Sequence, residues 1–224
     1  MPKIVDHDVY RDELAMKCFD LFARKGYTAV TMREIAWELK VSTGTLYHYF
    51  PNKMAILEQV FYLTAERDIA DGVSRVEKFI TPADRLKAFL EWVADQELHF
   101  ADVLLITIDY HRQEGHDAGG LVAGVLATYT DAVAFYVLPD KELSALVMTY
   151  LIGLITERII IRDNIDFTSK VDNLYRFVLK SLENKGQKPS QHRPRPLKRR
   201  AKHRKKGRKR KNNGNDTPYQ NTPA

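Results

Sequence analysis

Apolar residues recur every three or four positions along most of the first 185 residues, the spacing that gathers them on one face of an α-helix. Leu14, Cys18, Leu21 and Phe22 form one such stripe and predict a helix over 11–25. Arg24 and Lys25 suit the negative end of its dipole, and Gly26 suits a left-handed cap. Thr31-Met32-Arg33-Glu34 reads as a capping box opening a short helix to Leu39. Lys40-Val41-Ser42 reads as a turn. Ser42 or Thr43 caps a second short helix, which Phe50-Pro51 ends because the residue before a proline disfavours helix. Asn52 caps a long helix to about Val76, with Ile56, Leu57, Val60, Phe61 and Leu63 inward. Thr81-Pro82 starts another, to about Glu97. Further helices are predicted at about 99–112, 121–138, 140–163 and 169–184, the last with Val171, Leu174, Phe177, Val178 and Leu182 as its apolar face. The segment 115–120 reads as a loop. No stretch alternates as a strand would, so the fold class is all-α.

Charge alters this picture at the C-terminal end. The chain carries a net +6, but residues 185–224 hold 15 Lys and Arg against the single acid Asp216, leaving the rest at −8. An acidic helical body is thus joined to a very basic, apolar-poor tail, expected to be disordered because it buries too little to offset its ordering entropy. The one cysteine, Cys18, excludes a disulfide framework or a Cys-rich metal site and reads as a buried apolar residue. The N-terminus lacks the apolar stretch of a signal peptide. Leu143–Ile161 is apolar but interrupted by Glu157 and Arg158, so a buried interface helix is expected there and no membrane span. A cytoplasmic location is expected.

The two short helices at 31–39 and 43–49 are three residues apart, with Ile35, Ala36, Leu39, Val41 and Leu46 between them. This is a helix-turn-helix pattern, in which the second helix enters the major groove of DNA. Its exposed face carries Thr43, Gly44, Thr45, Tyr47 and His48. Hydroxyls and imidazole suit phosphates and base edges, and Gly44 removes bulk. Lys53 is placed to reach a phosphate. Tyr49 and Phe50 read as core, and Arg33 as either a phosphate contact or a solvated side chain.

Gly26-Tyr27, Thr31-Met32-Arg33-Glu34-Ile35-Ala36 and Val41-Ser42-Thr43-Gly44-Thr45-Leu46-Tyr47-His48-Tyr49-Phe50-Pro51-Asn52-Lys53 together resemble the DNA-binding domain of the tetracycline-repressor (TetR) family. The resemblance implies DNA contacts from Thr31, Arg33, Ser42, Thr43, Thr45, Tyr47, His48 and Lys53. It also implies a homodimer on double-stranded, palindromic operator DNA, paired through its last two helices, and a C-terminal domain that binds a small effector. The run 145–155, apolar nearly all round, suits such a pairing with 169–184, and Gly153 permits close approach.

The expected organisation is a DNA-binding domain at 1–50, an effector-binding and dimerisation domain at 51–186, and the tail at 187–224. Asp109, Tyr110, His111 and Arg112 are candidates for an effector pocket, the alternative being a polar helix end. His99, Asp109, His111, His116 and Asp117 lack the spacing of a metal site. No nucleophilic triad, phosphate loop or carboxylate pair appears, so neither an enzyme nor a cofactor is expected. The expected function is transcriptional regulation, with repression relieved by an effector. The competing reading is a non-specific nucleic-acid binder driven by the tail, whose phosphate contacts would be strongly salt-dependent.

Overall fold

The computed structural model describes residues 6–115, 119–161 and 166–185. Those residues form nine helices and no strand: α1 (His7–Lys25), α2 (Met32–Glu38), α3 (Thr43–Tyr49), α4 (Lys53–Val76), α5 (Pro82–Asp95), α6 (Glu97–Glu114), α7 (Gly119–Tyr136), α8 (Lys141–Ile161) and α9 (Phe167–Lys185). The tail at 187–224, and His116 and Asp117, lie outside the described residues.

Capping explains most of the boundaries. α1 begins four residues earlier than its apolar stripe suggests, because the Asp6 carboxylate accepts from the backbone N–H groups of Asp8 and Val9. It ends at Gly26, whose φ is +82°; a β-carbon there would also sit 3.1 Å from an Asp109 carboxylate oxygen. The capping box on α2 is complete: the Thr31 hydroxyl accepts from Glu34 N–H at 3.3 Å, and Glu34 Oε2 accepts from Thr31 N–H at 2.8 Å. α2 closes with paired bonds from Lys40 N–H to Trp37 O and from Val41 N–H to Ala36 O, the Schellman pattern. Lys40 takes the left-handed conformation this needs, at φ 55°. Ser42, Asn52 and Thr81 cap α3, α4 and α5.

Two apolar cores result. One gathers α1, α2 and α3 with the first half of α4 (Ile56, Leu57, Val60, Phe61) and, from α6, Ile106 and Tyr110. The other joins the end of α4 and Ala101 of α6 with α5, α7, α8 and α9 around Leu90, Leu138, Val147 and Val178. α4 and α6 therefore belong to both, and the core of the head is not closed at residue 50.

α8 is buried within this chain on one face. Leu143, Ser144, Val147, Leu151, Leu154 and Ile155 are buried, but Leu146, Tyr150, Ile160 and Ile161 face outward. A β-carbon on Gly153 would meet nothing within 4 Å. By length and composition α8 could cross a membrane, yet one face of it is seated in the helical core. On α9, Val171, Leu174, Val178 and Leu182 are buried as expected, whereas Phe177 is 57% exposed.

Candidate nucleic-acid interface

α3 is held from behind and presents its other side to solvent. Leu46 is fully buried, as are Ile35 and Phe50, while Tyr47 on the opposite face is 53% exposed. Thr43, Gly44 and His48 are exposed with Tyr47, and Thr45 is half-buried. The Ser42 and Thr45 hydroxyls lie 2.8 Å apart, and Ser42 Oγ accepts from Thr45 N–H at 2.9 Å, so both are engaged at the start of the helix. Thr31 and Arg33 are exposed at the start of α2. The Thr31 hydroxyl also donates to Glu34 at 2.9 Å. Bonds from the Thr31 N–H and hydroxyl hold the Glu34 carboxyl below the usual carboxylate range, with Lys25 and Lys53 helping.

The far end of α3 is braced by a group the sequence pattern did not reveal. His7 bonds the Tyr49 hydroxyl at 3.0 Å through Nδ1, and its ring lies 6.1 Å from that of His48. Tyr10 packs edge-on against Tyr49 at 5.4 Å, and Arg11 stacks over Phe50 at 5.2 Å. The signal for His7 was Asp6 as a helix cap, hidden because residues 6–10 carry no apolar stripe.

Lys53 does not point outward. Its ammonium donates to the Tyr27 carbonyl at 2.6 Å and sits 4.2 Å from the centre of the Tyr27 ring. Burial lowers its pKa, against the opposing pull of Glu114, Asp109 and Glu34. The same Tyr27-Thr28 turn receives Asp109 of α6, whose carboxylate accepts from Thr28 N–H at 2.7 Å and from the Thr28 hydroxyl at 2.8 Å. The Tyr27 hydroxyl donates to Glu114 at 3.4 Å. Tyr110 is 2% exposed and packs edge-on against Tyr27 and Phe61. Asp109 and Tyr110 thus form a latch between the end of α6 and the head. His111 and Arg112 lie exposed on the outside of that helix end. The four effector candidates do not face one way, because α6 carries its last turns into the head: Asp109 and Tyr110 turn toward it, His111 and Arg112 away. Among the described residues no group of His, Cys, Asp and Glu is arranged to hold a metal.

A cavity of about 30 Å³ does lie between α4, α5 and α7, walled by residues such as Val73, Phe89, Trp92, Val133 and Tyr136. Gly72 admits Trp92 against α4, since a β-carbon there would lie 3.1 Å from the indole. The Trp92 N–H donates to Asp71 at 2.7 Å. At the edge of the cavity stands Asp68, only 4% exposed. It accepts from Tyr129 at 2.7 Å and bonds His99 Nε2 at 2.9 and 3.0 Å. Burial, and then the Asp68 carboxylate, raise the Tyr129 pKa far above the usual phenol range. The His99 ring packs on Phe19 of α1 at 5.4 Å. Sequence reasoning missed this cluster, although an aspartate at the apolar spacing Phe61, Thr64, Ala65, Asp68, Gly72 was a readable signal.

Residues 19–60 match the family model described as bacterial regulatory proteins, tetR family. The chain is similar to the HTH-type transcriptional regulator YdeS of Bacillus subtilis, at 38% identity over 74 residues, covering 32% of this chain and 37% of that protein. It is similar to the HTH-type transcriptional repressor KstR2 of Mycolicibacterium smegmatis, at 40% identity over 50 residues, 22% of this chain and 24% of the relative. These matches span about a quarter to two fifths of the relatives' length. In three dimensions the chain resembles the transcriptional regulator FadR from Bacillus subtilis, solved in complex with stearoyl-CoA, with a TM-score of 0.61, 16% identity, and coverage of 75% of this chain and 97% of that one. That likeness concerns the fold.

Proposed function

We propose, from the match of residues 19–60 to the tetR family of bacterial regulatory proteins, that the protein is a cytoplasmic, dimeric repressor of transcription released from DNA by a small effector. One observation carries the reading: a short helix locked from behind by Leu46 and capped by Ser42 presents Thr43, Gly44, Tyr47 and His48 outward. In a helix-turn-helix such a face enters the major groove, where it donates to and accepts from base edges. The similarity to KstR2, named a repressor, supports repression.

The outward apolar residues of α8 (Leu146, Tyr150, Ile160) and Phe177 of α9 support pairing of two copies through these helices. Two heads held by one interface read half-sites about one helical turn apart. The latch of Asp109 on Thr28 and the shared helix α4 tie each head to its body, so a change in the body alters the spacing of the two α3 helices. The domain limits we assign are a head at 1–50 borrowing core from α4 and α6, a body at 51–186, and the tail.

Footprinting on the protein's own promoter DNA tests the reading. Tyr47→Ala and His48→Ala each lose sequence-specific protection while the protein remains folded. A chain cut before residue 187 keeps its footprint and loses part of its salt-dependent affinity. If the footprint vanishes with the tail and survives both substitutions, the protein is a non-specific nucleic-acid binder instead.

A further inference from the structure

The space between α4, α5 and α7 is walled by hydrocarbon and aromatic rings, with Tyr129 and the residue its phenol covers, Asp68, at its edge. That carboxylate is nearly sealed from solvent, and its partners there are Tyr129 and His99. One turn earlier on the same helix face, the hydroxyl of Thr64, itself 1% exposed, has no hydrogen-bond partner. The site therefore combines an apolar wall with a buried acceptor that a phenol at the wall already serves.

We propose that this space is the effector site and that it selects a mainly apolar molecule carrying a hydrogen-bond donor, such as an amine or alcohol, whose donor takes the place of Tyr129 on Asp68, while carboxylates are refused. The inference rests on the reading of the body as effector-binding. A donor that replaces the phenol leaves the buried carboxylate paired throughout, so the exchange avoids the cost of an orphaned charge. A ligand carboxylate in the same position meets like charge in a water-poor surrounding. The cavity of about 30 Å³ holds little more than a water molecule, so entry moves Tyr129 and the Trp92 ring aside. Because His99 bonds Asp68 and packs on Phe19, the exchange touches α1, the first helix of the head.

The test uses three probes with one skeleton: 2-phenylethylamine, 2-phenylethanol and phenylacetate. Trp92 reports binding by its fluorescence once the exposed Trp37 is replaced by Phe, since the chain has two tryptophans. The amine and alcohol are expected to bind about tenfold or more tightly than phenylacetate, as a site built around one polar partner discriminates strongly. Tyr129→Phe removes the competing phenol and should tighten the amine and alcohol roughly threefold while leaving phenylacetate unchanged. Asp68→Asn should erase the order. The proposal is overturned if phenylacetate binds as well as the amine, if no probe binds at millimolar concentration, or if the order persists in a folded Asp68→Asn protein. Release of promoter DNA, measured alongside, separates the two readings. Donor-selective binding that leaves DNA affinity untouched upholds the ligand class and removes the effector role. Release by phenylacetate does the reverse.

Discussion

Lys53 and Asp109 converge on one turn. Both had a functional assignment from their positions in the chain, and both are engaged by Tyr27 and Thr28, the residues that follow the kink at Gly26. Lys53→Met is therefore expected to lower stability in urea titrations while leaving the salt dependence of DNA binding unchanged. A fall in the salt slope of about one would return Lys53 to the phosphates. Cys18 shows a different effect of burial. It is fully enclosed in α1, donates to the Leu14 carbonyl at 3.2 Å, and its thiol is pushed up to about 12 by burial. The neutral thiol is the form the fold favours, so this stabilisation is complete below the unfolded thiol's ordinary range near pH 9 and is lost as pH climbs toward 12. At neutral pH iodoacetamide should leave native Cys18 unmodified and label it in guanidinium; rapid labelling of the folded protein would contradict the enclosure.

At the scale of elements, caps decide where the helices start and so which residues stand exposed at the starts of α2 and α3. Thr31 illustrates the overlap of two roles: its hydroxyl closes the capping box with Glu34, and it also stands exposed at the start of α2. Thr31→Ala should cost about 1 kcal/mol of stability, the usual value of a lost N-cap, whereas Thr31→Ser should cost little. If both variants lose DNA affinity to the same degree while thermal melting separates them, the threonine methyl has a DNA role beyond the cap. The turn after α2 is held by Lys40 in a conformation that glycine normally supplies. It sets the approach of α2 and α3, and with it the outward aim of Tyr47 and His48.

The whole molecule is two cores sharing two helices. α4 begins among Ile56, Leu57 and Val60 in the head and ends at Val76 in the body. α6 returns from the body to place Ile106 and Tyr110 back in the head. Such sharing makes the head and body one mechanical unit, which an effector-driven change of spacing requires. The outward faces of α8 and α9 belong to this scale as well. Phe177→Glu places a charge on the proposed dimer face without touching the core, since Phe177 is 57% exposed. The expected result is a monomer by light scattering, with operator affinity greatly reduced at unchanged helicity. A dimer that persists would move the interface elsewhere.

How much of this was legible beforehand follows from where the causes lie. Helix existence, type and order follow from apolar spacing and caps, which are local: the capping box at Thr31, the proline after Phe50 and the Asn52 cap all sit where the sequence puts them. The helix-turn-helix was legible for the same reason, because its parts lie within one short stretch of chain. Its outward and inward faces follow from the single buried Leu46 and the residues around it. What only the tertiary structure decided are the partners brought from far along the chain. Lys53 meets Tyr27, Asp109 meets Thr28 across 81 positions, and Asp68 meets Tyr129 across 61. A polar side chain takes its role from what faces it. Periodicity places a residue on its own helix, but the opposing surface comes from how the helices cross.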